Sequence, residues 1–229
     1  MIPSGYKRNI KEQLGVPSLH WSLKNLKLLG FTPSFVVDIG AYEGYWTRDF
    51  LEVYPDAKIL MLEAQSAKLE KLKRVCNDFS NAQYHIALLS PEDGKEFSFI
   101  ESETASHVTD EIVEGAKKLR GEALDQILER KQLPFPDFLK LDVQGFELEV
   151  LKGAAKSLAH TQFCILEVSL LDLDGTPMML EVMNYMDSKG FQAYDICQFM
   201  RRPLDKALYQ IDLLFIKKDS NLIASKRWM

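Results

Sequence analysis

The feature of this 229-residue sequence that most constrains its fold is a regular alternation of short apolar runs with amphipathic segments. The apolar runs predict β-strands over residues 35–39, 58–62, 83–88, 138–143 and 163–169. Helical patterns follow these strands, over residues 45–53, 67–77, 147–158 and 177–188. Such alternation is typical of a Rossmann-like α/β fold, with a mostly parallel sheet and helices on both faces.

The last two predicted strands, over residues 191–196 and 209–217, are connected differently. No convincing helical pattern separates them, and Pro203 lies in the connection. Parallel neighbours need a long crossover, whereas antiparallel neighbours can be joined by a short loop. We therefore expect a C-terminal antiparallel hairpin.

Two segments depart from the alternation within what we expect to be a single domain of residues 1–229. Residues 1–33 predict an N-terminal helical arm, with Ser18 as an N-cap and Gly30 as the stop. Residues 94–130 predict an insertion that forms a lid or wall over a binding site, since loops on a rigid scaffold determine specificity.

Inside this insertion, the sequence predicts three kinds of local structure. Phe97 and Phe99 indicate an added strand, and residues 101–110 indicate an exposed loop. Residues 111–130 show helical patterns, which are broken at Gly115 and Gly121.

Composition narrows the classes of function. Hydrophobic residues make up 46% of the sequence and charged residues 27%, as in globular proteins with a sizeable core. The net charge of -5 argues against a nucleic-acid partner, because clustered Lys and Arg bind phosphates. No apolar run approaches the ~20 residues of a membrane span, and residues 1–13 lack a signal-peptide core. The 3 cysteines show no metal or redox spacing, so we expect a reduced, cytoplasmic setting.

The turn after the first strand, DIGAYEG over residues 38–44, is a candidate nucleotide site. Its glycines allow close approach of the backbone to a ligand, and Glu63 ends the second strand, where a carboxylate can bond ribose hydroxyls. Gly40 and Gly44 do not complete the G-x-G-x-x-G pattern of dinucleotide sites. Asp38 would repel a pyrophosphate but suits a ligand with a cationic amino group. The residues therefore favour S-adenosylmethionine over NAD, with an empty glycine-containing turn as the alternative.

Four blocks of the sequence resemble the FkbM-type methyltransferases. They are VVDIGAYEGYWT (36–47), ILMLEAQ (59–65), FLKLDVQGFELEVLKGA (138–154) and ILEVS (165–169), and the resemblance covers roughly residues 35–217. It implies a class I methyltransferase fold with a seven-stranded sheet. It also implies methyl transfer from S-adenosylmethionine, usually to a hydroxyl oxygen of a sugar or natural product.

The resemblance also implies which residues bind the cofactor. The turn residues Asp38, Gly40 and Gly44, with Ala41 and Tyr42 between them, would hold the methionine part. Glu63 would hold the ribose, and Ala87 with Leu88 the adenine edge. The chain departs from the family at Tyr42, where asparagine is frequent, and at Gln144, where glutamate is frequent.

Three residues are candidates for the chemistry at the acceptor. Asp142 ends the fourth strand and Glu167 lies near the end of the fifth, so both should face the cofactor crevice. Either could orient or deprotonate a hydroxyl, and His107 in the insertion is a further candidate base. Asp142 could instead cap the following helix, Glu167 could pair with a nearby lysine, and His107 could be a solvated loop residue.

The sequence leaves alternatives open for metal binding and for function. The two acids could hold a divalent cation, but we predict no metal site because no histidine joins them in sequence. We predict a methyltransferase acting on a small hydroxylated molecule. A non-catalytic cofactor-binding module is the alternative, and an NAD-dependent oxidoreductase is a weaker one. The sequence does not identify the acceptor or the oligomeric state.

Overall fold

The computed structural model describes residues 10, 13–100, 107–109, 111, 113–173, 176–225 and 227–228. The helices are α1 (Leu19–Leu28), α2 (Tyr45–Val53), α3 (Leu69–Asp78), α4 (Leu124–Lys131), α5 (Glu147–Lys152), α6 (Ala155–His160) and α7 (Met179–Ser188). The first strands are β1 (Phe35–Ile39), β2 (Lys58–Glu63), β3 (Ala82–Ile86), β4 (Leu88–Leu89), β5 (Glu96–Ile100) and β6 (His107–Thr109). The later strands are β7 (Lys117–Glu122), β8 (Phe138–Leu141), β9 (Phe163–Ser169), β10 (Phe191–Arg201) and β11 (Leu208–Lys217).

The main sheet orders 7 described strands as β10-β11-β9-β8-β1-β2-β3. Strands β3, β2, β1, β8 and β9 pair in parallel, whereas β11 pairs antiparallel with both β9 and β10. The predicted seven-stranded sheet with a C-terminal antiparallel hairpin is therefore confirmed.

The central strands β1, β2, β8 and β9 are mostly buried on both faces, because helices cover each side of the sheet. All residues of β1 are buried, and its side chains alternate between two hydrophobic cores. Val37 and Ile39 pack in the core formed with α4, α5, α6 and α7, and Val36 packs in the core formed with α1, α2 and α3. This explains why the strands read as continuous apolar runs.

The predicted N-terminal helix is confirmed as α1. The Ser18 side chain accepts a hydrogen bond from the Trp21 backbone N–H, and the chain turns at Gly30 with a φ of 93°. Ser22 then ties the helix to β10 by donating to Asp195 Oδ2 at 2.6 Å. Among the described residues, no helix is long and apolar enough to cross a membrane.

Strands β5, β6 and β7 of the insertion form a small sheet with β4, in the order β4-β7-β5-β6. The added strand predicted around Phe97 and Phe99 is confirmed as β5. The helical prediction for 111–130 is wrong over 117–122, which is strand β7, and α4 is the one helix among the described residues of that range. Strand β7 is mostly exposed and polar, so hydrophobic periodicity could not reveal it. Its backbone pairing with β4 and β5 determines its conformation.

Candidate active site

A cavity of about 500 Å³ lies at the carboxyl ends of β1, β2, β8 and β9. Its volume falls within the range of small-molecule sites, and open α/β sheets bind ligands at this edge. Its lining residues are Ile39, Gly40, Tyr42, Leu62, Glu63, Ala64, Gln65, Ala87, Leu88, Leu89, Phe99, Val108, Asp142, Val143, Gln144, Phe146, Glu167, Met200, Tyr209 and Gln210.

The turn after β1 is shaped by close backbone packing. Gly40 has a φ of 71°, and a Cβ at this position would overlap the carbonyl oxygen of Asp142. The N–H groups of Gly40 and Ala41 donate to the Leu62 carbonyl at 2.9 and 3.1 Å. A Cβ at Gly44 would lie 2.6 Å from Val75 Cγ2. Gly40 therefore lines the cavity, whereas Ala41 and Gly44 hold the turn against its neighbours.

Asp38 lies beneath this turn and is fully buried. Its Oδ2 accepts a hydrogen bond from Thr47 Oγ1 at 2.7 Å, and the Lys140 ammonium lies 3.2 Å from its Oδ1. Lys140 also donates to the Gly40 carbonyl at 2.9 Å and lies 3.6 Å from Asp142 Oδ2. Asp38 is not among the described cavity-lining residues, and Lys140 connects it to Gly40 and Asp142, which do line the cavity.

Burial and neighbouring charges act on Lys140 in opposite directions. Burial disfavours its ammonium form, but Asp38 and Asp142 outweigh that effect and raise the pKa of Lys140. Sequence reasoning assigned no role to this residue. A lysine within an otherwise apolar strand, two positions before Asp142, was the available signal, because alternate strand residues share a face.

Glu63 presents a rigidly held carboxylate to the cavity. Its Oε2 accepts from the Tyr42 N–H at 2.7 Å, and its Oε1 accepts from the Gln65 N–H at 2.8 Å. Burial raises the pKa of Glu63, and the two backbone hydrogen bonds partly oppose this effect. Each carboxylate oxygen has a further lone pair, so both can accept bonds from a ligand.

The wall beside Glu63 is apolar. Ala87 and Leu88 line the cavity, and the Ala87 N–H donates to the Glu63 carbonyl at 2.9 Å. Phe99 and Val108 reach the cavity from the small sheet. Sequence reasoning missed these two as lining residues, because the packing of the insertion against the main sheet is not visible in a local pattern.

Asp142 and Glu167 lie together at the other end of the cavity, joined by Gln144. The Gln144 amide nitrogen lies 2.9 Å from Asp142 Oδ1 and 3.0 Å from Glu167 Oε2, and it donates to both. The Gln210 amide nitrogen also donates to Glu167 Oε2, at 3.2 Å. The two predicted acids thus belong to one hydrogen-bonded group. The sequence marked Gln144 only as a departure from the family and did not single out Gln210, and both are functional candidates.

Burial perturbs several acids around this group. Burial, and then the charges of Asp142 and Asp212, raise the pKa of Glu167 to about 9. Burial and Asp142 raise the pKa of Asp212 to about 6. Burial also raises the pKa of Glu147 to about 7, although backbone N–H groups oppose it.

Asp142 does not take the alternative role of a helix cap. Helix α5 has Phe146 as its N-cap residue and no side-chain hydrogen bond at that end. The N–H groups of Val143 and Gly145, which precede the helix, donate to Glu147 Oε1 at 3.0 and 3.2 Å. The Asp142 carboxylate instead accepts from Gln144 and lines the cavity.

His107 begins β6, but its side chain lies outside the described residues, so its role as a base stays a prediction. The part of the chain that the structure describes contains no group of three or more His, Cys, Asp and Glu residues arranged to hold a metal ion.

The sheet order, with an antiparallel strand inserted next to the edge, defines the fold of class I methyltransferases. Residues 38–193 match the family described as the methyltransferase FkbM domain, and the chain belongs to this family. The match includes the turn after β1, Glu63, Asp142 and Glu167.

Individual relatives agree with this assignment. The hexuronic acid methyltransferase AglP of Haloferax volcanii is 36% identical over 81 residues, which are 35% of this chain and 34% of that protein. The chain thus spans about a third of the length of this curated relative. The structure of methyltransferase FkbM from Methylobacillus flagellatus has a TM-score of 0.54 at 19% identity, covering 82% of this chain and 45% of that one. A precorrin-6y C5,15-methyltransferase from Geobacter metallireducens has a TM-score of 0.50 at 14% identity, covering 84% and 85%. At these identities the solved structures show the shared fold.

Proposed function

We propose that this chain is an S-adenosylmethionine-dependent methyltransferase that methylates a hydroxyl of a sugar-type acceptor. Membership of the FkbM family supports methyl transfer, and the relative named as a hexuronic acid methyltransferase supports a sugar acceptor. The observation that carries the proposal is the cavity itself, which presents Glu63 at the end of β2 and Asp142 beyond β8.

The charges of the cavity fit this cofactor. Among the described lining residues, Glu63, Asp142 and Glu167 are acidic and none is Lys or Arg. S-adenosylmethionine has a cationic sulfonium, an amino group and a ribose, whereas NAD has a pyrophosphate that needs donors or cations. The lining therefore favours S-adenosylmethionine over NAD.

Three groups of described residues would each hold one part of the cofactor. Both oxygens of Glu63 would accept bonds from the ribose hydroxyls. Ala87 and Leu88 would cover the adenine. Gly40 and Tyr42 line the side where the methionine part would lie, and Asp38, Ala41 and Gly44 support them from below.

When bound, the cofactor supplies a methyl group on a positively charged sulfur, which keeps the electron pair of the carbon–sulfur bond. Asp142 would accept the proton of the acceptor hydroxyl, so that the oxygen lone pair is free to bond the methyl carbon. The remaining contribution is positioning, which alone can supply several kcal/mol.

We further propose that the acceptor lies between the insertion and the C-terminal hairpin. Met200, Tyr209 and Gln210 line the cavity from β10 and β11, and Phe99 and Val108 line it from the small sheet. These walls combine apolar side chains with hydrogen-bonding groups, which is the combination that a sugar ring with hydroxyls requires.

The first experiment is calorimetric titration with S-adenosylmethionine, with NADH as the comparison ligand. We expect binding of S-adenosylmethionine alone. Glu63→Ala should weaken it at least about tenfold, because charged hydrogen bonds to the ribose are lost. Glu114→Gln, a change of an exposed acid, is the control and should bind normally. Binding of NADH, or of neither ligand, would overturn the cofactor assignment.

The second experiment measures formation of S-adenosylhomocysteine with methyl β-D-glucuronide and methyl β-D-glucoside. Asp142→Asn should bind the cofactor normally but turn over at least about a hundredfold more slowly, because the base is lost. If neither sugar is methylated, the proposed acceptor class is wrong. If Asp142→Asn turns over normally, Asp142 is not the base.

A further inference from the structure

Gln144 occupies a conformation that its side-chain contacts explain. Its φ is 55°, in the left-handed region that a glutamine seldom adopts, and the following residue, Gly145, also has a positive φ of 97°. This backbone conformation is strained and persists where the surrounding structure compensates it. Here it directs the Gln144 amide between Asp142 and Glu167, where both amide hydrogens are used.

The environment of Glu167 does not support a charged carboxylate. Asp212 on β11 lies directly opposite Glu167 in the sheet register, Asp142 faces it from the end of β8, and Glu147 faces it from α5. Lys140 acts on Glu167, but it lies against Asp38 and Asp142. Glu167 has no ion pair with Lys140 among the described contacts, so burial and the neighbouring acids favour its neutral form.

The two acids also differ in solvation. Glu167 is largely covered, whereas the Asp142 side chain is 41% exposed and has Lys140 beside its Oδ2. When two neighbouring acids have different environments, one can stay ionised while the other stays protonated. The ionised acid can then act as a base and the protonated one as an acid. Both amide donors bond Oε2 of Glu167, so the proton of the neutral form resides on Oε1, which can donate a hydrogen bond.

We propose that Gln144 is a positioning residue of the transfer reaction, a role that rests on the proposed function. Its amide holds Asp142 ready to take the acceptor's proton and holds Glu167 by Oε2, which leaves Oε1 of the neutral Glu167 to donate a hydrogen bond to a second group of the acceptor. The proton of the acceptor hydroxyl passes to a carboxylate oxygen of Asp142, the hydroxyl oxygen bonds the methyl carbon, and the sulfur keeps the pair of the broken carbon–sulfur bond. Asp142 then releases the proton to solvent, and Glu167 keeps its own proton throughout.

The kinetic test compares Gln144→Met and Gln144→Glu with a matched control. Gln132→Met is that control, because Gln132 also has a positive φ, of 53°, but lies exposed at the end of α4. With methyl β-D-glucuronide or the glucoside, Gln144→Met should lower kcat at least about tenfold. Calorimetric affinity for S-adenosylmethionine should be unchanged, and Gln132→Met should behave as the wild type.

The pH profile separates positioning from a structural role. In Gln144→Glu, a carboxylate replaces the amide that donates to both acids, so the acid limb of the kcat/KM profile should move to higher pH. A merely structural loss would lower the rate at every pH without moving the limb, and an unmoved limb would overturn the proposal.

The direct test needs no acceptor. NMR of the carboxyl carbons, with the Glu167 signal assigned by its absence in Glu167→Gln, reports the protonation of this residue. We expect Glu167 to be protonated at about pH 7 and its titration midpoint to rise further in Gln144→Met, because a donor to the charged form is lost. A Glu167 that is ionised at about pH 7, or a midpoint unaffected by Gln144→Met, would overturn the proposal. This NMR measurement does not depend on the proposed function. If the proposed function is wrong, the calorimetric titration will show no binding of the cofactor.

Discussion

At the residue scale, the site depends on one buried cation. Lys140 is 6% exposed, and it joins Asp38 below the turn to Asp142 at the cavity while bonding the Gly40 carbonyl. A buried ion pair adds little net stability, because desolvation offsets the attraction. Breaking the pair from one side is nevertheless costly, because an uncompensated charge stays behind.

Lys140→Met should therefore destabilise the protein by about 3 kcal/mol or more, which lowers the Tm by about 6–12 °C in a domain of this size. The double variant Asp38→Asn with Lys140→Met should recover part of that loss, because the stranded carboxylate is removed. Thermal and denaturant unfolding measure both effects. A double variant less stable than the sum of the two single variants would contradict the ion-pair explanation.

Single residues also show which features of the site could be predicted from the sequence and which could not. Asp142, Glu167 and Glu63 line one cavity, because all three lie at or near the carboxyl ends of parallel strands. Asp38 shares that sequence signal, yet its side chain lies beneath the turn, because Lys140 and Thr47 bind it there. Lys140 is far from Asp38 in the chain and Thr47 is 9 residues away, so neither contact follows from a local pattern. The sequence likewise showed Gln144 only as a departure from the family, because its contact with Glu167 spans 23 residues.

At the element scale, the turn between β1 and α2 has no room for a side chain at one position. Gly40 has a positive φ, and a side chain there would overlap the Asp142 carbonyl. Gly94 also has a positive φ, of 87°, but nothing lies within 4 Å of the Cβ position. Both glycines have a positive φ, but only Gly40 has neighbouring atoms close to its Cβ position.

Gly94→Ala should thus cost only the strain of a left-handed alanine, about 1 kcal/mol. Gly40→Ala should cost more, because the turn must move away from β8, and the cofactor should bind at least about tenfold more weakly. Denaturant unfolding and calorimetry measure the two effects. Equal losses in both variants would mean that the close approach to Asp142 is unimportant.

The small sheet forms another wall of the cavity, and we expect it to respond to the ligand. Phe97 of β5 packs edge-on against Phe146, with ring centroids 5.5 Å apart, and Phe99 lines the cavity. Binding of S-adenosylmethionine should slow amide hydrogen exchange in β5 and β7, because a filled cavity opposes local opening. Helix α7 serves as the internal control, and unchanged exchange in β5 and β7 would contradict a wall role for 94–130.

Elements with strong apolar periodicity were predictable, and those fixed by tertiary contacts were not. Strand β9 matches its predicted range of 163–169, because a buried parallel strand reads as an apolar run. The predicted helix over 147–158 is instead α5 and α6, with a break at Gly153. A Cβ at Gly153 would overlap the Ser90 carbonyl, so the break follows from packing against another segment.

At the scale of the whole molecule, buried acids link stability to pH. The pKa of Glu167 is raised from 4.5 to about 9, that of Glu147 from 4.5 to about 7, and that of Asp212 from 3.8 to about 6. Each is protonated in the folded state at pH values where the unfolded chain is ionised. The unfolded state then binds fewer protons, so stability falls as pH rises through this window. The raised pKa of Lys140 acts only above its ordinary 10.5, outside the window.

We therefore expect the free energy of unfolding to decrease by at least about 1 kcal/mol between about pH 5 and about pH 9. Glu167→Gln keeps an acceptor for Gln144 and Gln210 but cannot ionise, so its stability should decline less over the same range. Urea unfolding at a series of pH values measures both proteins. Parallel curves would show that Glu167 does not contribute to the dependence.

The position of β11 has a consequence for how the chain acquires its structure during synthesis. β11 is made after β10 but lies between β10 and β9 in the sheet, so β10 cannot join the sheet until residues 208–217 have emerged. A ribosome-bound chain stalled before residue 208 should present β9 as an open edge and β10 as an unpaired strand, a state prone to capture by chaperones. Emergence of the final strand then closes the sheet and, through Tyr209 and Gln210, the cavity in the same step.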